Sequence, residues 1–215
     1  MTDNAARVLS RMFSDISIAI DGQRDQLTAL DGAIGDADHG ITMSLGFHAV
    51  TNELAGMDLD HVAAAAVLAS VASAFLNAVG ASTGPLYASA FLQAAKVLEK
   101  NESLSLDNQV AMIFAITAGI QERGKGQRGD KTMLDAWIPA TEAAIKAQID
   151  GADVLVLWNE VIHAAEAGAN ATRSMVAARG RAARLGERSL GHVDPGAASA
   201  VIILRAMRNR LVDVS

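Results

Sequence analysis

The sequence predicts an all-α fold, an eight-helix antiparallel barrel or bundle. Three observations carry that prediction. Apolar residues recur three or four positions apart almost throughout the chain, one stripe per helix. Strict apolar–polar alternation, the mark of a half-buried strand, is nearly absent. Gly, Asp and Pro punctuate the chain at helix-length intervals.

In chain order, helices are predicted over 3–24, 39–54, 60–78, 84–99, 106–123, 130–147, 153–179 and 195–212. In the first, Leu9, Met12, Phe13, Ile16 and Ile20 form the apolar stripe. Val110, Ile113, Phe114, Thr117 and Ile120 repeat it in the fifth, and Leu157, Val161, Ala164 and Ala165 in the seventh. The run DVLVLWNEVI, 153–162, looks strand-like. Its apolar pattern continues past strand length, so it is read as a buried helix start. Ser105 and Asp107 are candidate N-caps of the fifth helix, and Asp150 or Asp153 of the seventh, because their side chains can accept from free first-turn amides. Pro85 and Pro195 each suit a first helical turn, where the missing N–H costs little.

No linker or low-complexity stretch divides the chain, so residues 1–215 are read as a single domain. Residues of apolar type make up 51% of the chain and aromatics only 4%, so the core is expected to be built from Ala, Leu, Val, Ile and Met. There is no cysteine, which excludes disulfides and thiolate metal sites and suits a reducing, cytoplasmic setting. A formal charge of −6 argues against a nucleic-acid partner. No run approaches the roughly 18 apolar residues of a membrane span, so no membrane partner is expected. The amino-terminal MTDNAARVLSRMF carries polar residues where a signal peptide needs an apolar segment.

The chemistry is concentrated in four connections. The first is LDGAIGDADHGITMSLGF, 30–47. Asp31, Asp36 and Asp38 repel one another at neutral pH, and a divalent cation offsets that repulsion. An all-oxygen ligand set suits Mg²⁺ or Ca²⁺. The spacing is not that of an EF-hand. Gly32, Gly35 and Gly40 permit turns that bring the carboxylates together, and His39-Gly40 opens a helix whose free amides can hold an anion. The bland alternative is an exposed, capping Asp-rich turn.

The second, VGASTGPLYASAF at 79–91, offers Ser82 and Thr83 before a helix start, suited to cradling a phosphate or to ordinary capping. The third, RGKGQRGDKTMLDAW at 123–137, comes near a Walker A loop. Asp130 interrupts the motif and a helix precedes it where a P-loop needs a strand, so that reading is rejected. The fourth, ARGRAARLGERSLGHVDPGAASA at 178–200, carries Arg179, Arg181, Arg184 and Arg188. Arginine binds phosphate bidentately and keeps its charge; the alternative is pairing with acids such as Glu187. In an antiparallel bundle alternate connections share a rim. These four follow the first, third, fifth and seventh predicted helices, so all are expected at one rim, where they form a metal–polyphosphate site.

With these residues in view, the chain resembles the nucleotide-binding L subunit of dihydroxyacetone kinase and the matching domain of single-chain dihydroxyacetone kinases. The resemblance rests on IGDADHG at 34–40, GPLY at 84–87, RGK at 123–125, GDKTM at 129–133 and GRAARLGERSLGHVDPGA at 180–197, and it covers nearly the full length. It implies an eight-helix barrel with the nucleotide, ADP or ATP, at one end. Asp31, Asp36 and Asp38 are then expected to hold two Mg²⁺ ions. Nucleotide contacts are expected from His39, Gly40, Ile41 and Thr42, from Ser82 and Thr83, and from Gly124, Met133, Arg181, Asp194, Pro195 and Gly196. Thr83 stands where the family commonly has glycine after the serine, and Thr42 where asparagine is frequent; both keep a hydrogen-bonding group.

The resemblance further implies transfer of the γ-phosphoryl group of ATP to dihydroxyacetone held on a separate K subunit. This chain is then active only with that partner and carries no general base of its own; His39 is expected to orient a phosphate. In phosphotransferase-linked members ADP stays bound and is rephosphorylated by a phosphohistidine M subunit; in others ATP and ADP exchange. A homodimer is a further option. A kinase subunit for another small ketose such as a tetrulose, and a non-catalytic nucleotide-binding regulator, are the rival readings.

Overall fold

The computed structural model describes residues 4–80, 82–99 and 102–214. Among these are nine α-helices and no strand: α1 (Ala5–Gly22), α2 (Arg24–Ile34), α3 (His39–Ala55), α4 (Ala64–Ala78), α5 (Thr83–Leu98), α6 (Leu106–Gly124), α7 (Leu134–Ile149), α8 (Val154–Ala171) and α9 (Pro195–Leu211). The all-α prediction holds. The first position of the predicted helix 3–24 lies outside the described residues.

Eight of these helices close a ring. α1 packs on α3, α3 on α4, and so on in chain order to α8 and α9, and α9 returns to α1. The ninth, α2, packs outside that ring against α3 and α9. It fills part of the predicted first connection. Its glycine, its aspartates and its two buried residues, Leu27 and Ile34, gave it too thin an apolar stripe to stand out. Only Gln23 separates it from α1, so the pair runs as one kinked segment and the order of rims is kept.

Several predicted caps are in place. The Ser105 hydroxyl accepts from the Asn108 amide, and Asp153, not Asp150, caps α8 by accepting from Val156 at 2.9 Å. Asp194, not among the predicted caps, also caps a helix: it accepts from Ala197 at 2.8 Å, with Pro195, expected in a first turn, as the first residue of α9. Three predicted helices are shorter than expected. The one predicted over 60–78 starts at Ala64, after the turn at 59–61. The one predicted over 130–147 starts at Leu134 because Lys131 has a left-handed backbone, φ 59°. The one predicted over 153–179 stops at Ala171; Thr172 to His192 run through two short 3₁₀ turns broken at Gly180 and Gly186, both with positive φ.

The core corrects one expectation. Seven of the eight aromatic residues are buried, so the few aromatics sit at its centre instead of leaving it to aliphatics. Phe13, Phe47, Phe75, Tyr87 and Phe91 form a chain of mostly edge-on contacts with centroids 5.1–6.2 Å apart across α1, α3, α4 and α5. Opposite them Trp158 donates to Gln109, which donates on to the carbonyls of Leu104 and Leu211. The buried amide is thereby satisfied, as a dry interior requires.

Pro139 lies inside α7 and cannot donate to the Asp135 carbonyl one turn back. Gly168 of α8 covers that carbonyl so closely that an added Cβ would stand 1.9 Å from the oxygen. Gly168→Ala is therefore expected to destabilise the fold by about 1–3 kcal/mol through forced separation of α7 and α8, read as a lowered urea midpoint with an unchanged slope.

Candidate functional site

One cavity of about 750 Å³ opens at a rim of the ring. Its size suits a small-molecule ligand. All four chemistry-bearing connections reach it: the α2–α3 loop, the entry to α5, the α6–α7 loop, and the segment between α8 and α9.

The acidic wall is built first by local geometry. Asp31, in the last turn of α2, accepts through one carboxylate oxygen from the amides of Asp38 (2.9 Å) and His39 (3.2 Å). It thereby ties the end of α2 to the start of α3. Ala37 takes a left-handed conformation, φ 62°, between Asp36 and Asp38. The result is three carboxylates each offering an oxygen within 4.8 Å of the others. Burial, and then the charge of Asp31, push the Asp38 carboxyl above its ordinary range. The countercharge present is Arg181, which pairs with Asp36 and lies 3.1 Å from Asp38. Clustered, oxygen-only and short of positive charge, this donor set fits a hard divalent cation.

His39 is buried at the head of α3. The Ser199 hydroxyl donates to the Gly196 carbonyl, so its oxygen accepts from His39 Nε2 at 2.9 Å. Burial lowers the His39 pKa, with the charge of Asp31 opposing.

The opposite wall is cationic and is folded by its own carboxylates. Asp135 accepts from the amides of Gly129 (2.6 Å) and Thr132 (2.8 Å), and Asp130 from Gln127 (3.0 Å). Arg179 donates to Asp130 at 2.6 Å and to the Gly124 carbonyl at 3.3 Å, joining the α6–α7 loop to the arginine segment. Lys131 is almost wholly buried, and its ammonium donates at 2.5 Å to the carbonyls of both Thr172 and His192. Burial pulls its pKa down, while Asp194 and Asp135 counter. Burial also pushes the Asp194 carboxyl up to about 7, against the Ala197 amide and Lys131.

Of the expected site residues, Asp31, Asp36, Asp38, His39, Thr42, Ser82, Thr83, Gly124, Met133, Arg181, Asp194, Pro195 and Gly196 line the cavity. Gly40 and Ile41 do not. Gly40 faces α2, where a Cβ would stand 2.0 Å from the Arg24 carbonyl, and the Ile41 side chain is half exposed. Their free amides at the start of α3 are what remains available to a ligand. Arg184 and Arg188 are also absent from the lining. Arg179, one of the arginines expected at the rim, lines it, as do Arg123 and Lys131, which were not singled out. Arg123 and Lys131 stand inside the RGK and GDKTM motifs, but nothing in one sequence signals that Lys131 is buried.

Fold and site together define an all-helical barrel with one rim cavity suited to a metal-associated phosphate ligand. The chain belongs to the DAK2 domain family, which matches residues 33–209. It is 36% identical over 200 residues to the ADP-binding subunit DhaL of PEP-dependent dihydroxyacetone kinase 2 of Listeria innocua, covering 93% of this chain and 92% of that one. It is 37% identical over 188 residues to the corresponding subunit of Escherichia coli, covering 86% and 87%. The crystal structure of dihydroxyacetone kinase of C. freundii superimposes over 97% of this chain and 35% of its own, with TM-score 0.73 at 23% identity. The same enzyme in complex with AMP-PNP and Mg²⁺ gives 0.68 at 22% identity over 93% of this chain and 33% of its own. No helix among the described residues is long and apolar enough to cross a membrane.

Asp194 sets a pH dependence. Its folded pKa lies above the unfolded value, so the folded protein holds a proton that the unfolded chain has shed. That stabilisation is complete below about pH 4 and is lost as pH rises through about 7. Asp194→Asn keeps the cap and removes the proton. The stability of wild type relative to Asp194→Asn is expected to fall by about 2–3 kcal/mol between pH 5 and pH 8 in urea titrations.

Proposed function

We propose that this chain is the nucleotide-binding, phosphoryl-transferring subunit of a dihydroxyacetone kinase. It would bind ADP or ATP with two Mg²⁺ ions at the rim cavity and act on dihydroxyacetone held by a separate K-type subunit. The observation that carries the reading is the meeting of three carboxylates and a phosphate-suited cationic wall in one cavity, in a chain matching ADP-binding subunits over most of its length.

Each wall has a distinct part. Asp31, Asp36 and Asp38 would hold the metal ions, which when bound neutralise phosphate oxygens during transfer. Arg181 presents a guanidinium suited to phosphate oxygens, and the Gly40 and Ile41 amides at the start of α3 would add N–H donors. Ser82 stands at the start of α5 without a side-chain capping bond, leaving its hydroxyl for a ligand. Leu45, Val79, Leu86 and Ile120 provide an apolar surface for a nucleobase. His39, at the head of α3 beside the acidic loop, would orient a phosphate. We assign no general base to this chain, and deprotonation of the sugar hydroxyl would fall to the partner. The two relatives named above belong to PEP-dependent enzymes, which favours a phosphohistidine M-type donor over free exchange of ATP.

Asp36→Asn tests the assignment. Asp36 is exposed, so the helical circular dichroism is expected to stay unchanged. Mg²⁺-dependent ADP binding by calorimetry is expected to weaken at least about tenfold, the scale of one charged ligand contact. Phosphoryl transfer with a K-type partner is expected to be lost. Retained Mg²⁺-dependent binding and transfer would refute the reading.

A further inference from the structure

Among the described residues, Arg181 reaches from the cationic wall onto the acidic one. Its guanidinium pairs with Asp36 and stands 3.1 Å from Asp38, two of the three carboxylates that converge within 4.8 Å. It therefore occupies the charge position that a cation would take. The same side chain lines the cavity where a phosphate ligand would lie, and it is half exposed, so it is free to swing. Its backbone follows Gly180, whose φ of 67° marks a turn outside regular helix.

These observations give Arg181 two mutually exclusive partners. A bare divalent cation must first displace the guanidinium from Asp36 and Asp38. A phosphate-bearing ligand offers that guanidinium another anion, so displacement is compensated when both ligands arrive. We infer that Arg181 couples the two binding events: it opposes cation binding in the absence of nucleotide and supports it in the presence of nucleotide. The coupling is reciprocal, since a residue that makes nucleotide favour the cation must make the cation favour nucleotide by the same factor. The site would thus take up metal and nucleotide together, and an isolated cation would not rest on the acidic loop. The inference rests on the proposed metal role of Asp31, Asp36 and Asp38, and the test separates the two.

The experiment measures Mn²⁺ binding by electron paramagnetic resonance, with and without ADP, in wild type, Arg181→Gln and Asp36→Asn. Arg181→Gln is expected to bind Mn²⁺ alone about three- to tenfold more tightly than wild type, the scale of losing one partly exposed ion pair and a nearby like charge. It is expected to bind ADP more weakly, and the enhancement of Mn²⁺ affinity by ADP should shrink toward none. Opposite changes for the two ligands are something that general damage to the fold does not produce. Arg181→Lys, which keeps a charge but not the planar fork, should fall between them. If Arg181→Gln binds Mn²⁺ alone no better than wild type while Asp36→Asn loses binding, the coupling role is refuted and the metal site stands. If Mn²⁺ binds to none of the proteins even with ADP, both fall.

Discussion

The mutual repulsion of Asp31, Asp36 and Asp38 is the constraint around which this rim is built. Left to themselves, carboxylates within 4.8 Å of one another would turn apart or take up protons. They stay together because the backbone fixes them. Asp31 is held by two amides at the head of α3, and the left-handed Ala37 directs its neighbours. The loop is thus a preorganised, charge-deficient concavity, and Arg181 answers that deficit from across the cavity. A cation held between these carboxylates would relieve their mutual repulsion.

The ring explains how residues so far apart in the chain share that cavity. Eight helices packed in chain order send every second connection to the same rim, and α2 does not upset the order because it merely prolongs α1. The two walls differ in kind. The acidic wall is held by helix ends, with Gly40 letting α3 settle against the first turn of α2. The cationic wall is made of irregular segments that carry their own fastening. Asp130 and Asp135 organise the α6–α7 loop, and Arg179 bonds it to the segment that presents Arg181.

Most of this was legible in the sequence, for identifiable reasons. Helices with a continuous apolar stripe, such as α1 and α6, declare themselves by spacing. Asp194-Pro195 announces the start of α9 because both residues have strong first-turn preferences. What failed to show were features that depend on tertiary partners. α2 buries only Leu27 and Ile34, so its stripe is too thin to register. The end of α8 at Ala171 is set by the turns that follow, and alanine-rich sequence reads on as helix. The central place of the aromatics is a fact of packing that composition cannot give. The convergence of the four connections was readable only because helix parity is a topological rule that survives errors of a few residues at each end.

Lys131 marks the limit of sequence reading most sharply. A lysine between Asp130 and Thr132 looks like part of a solvated turn, yet its ammonium is buried between the carbonyls of Thr172 and His192. Burying a charge there is costly unless hydrogen bonds and nearby carboxylates compensate, and both are present, with Asp194 and Asp135 close by. The cost has a structural return. The ammonium fastens both ends of the segment from Thr172 to His192, so Arg179 and Arg181 are carried on a span anchored at its base. An apolar side chain in that position would break the tie between the Thr172 and His192 carbonyls and loosen the span. The buried lysine and the exposed arginine of this wall are therefore complementary: the first fixes where the segment sits, and that fixing would let the second exchange between two anions without the wall itself having to rearrange.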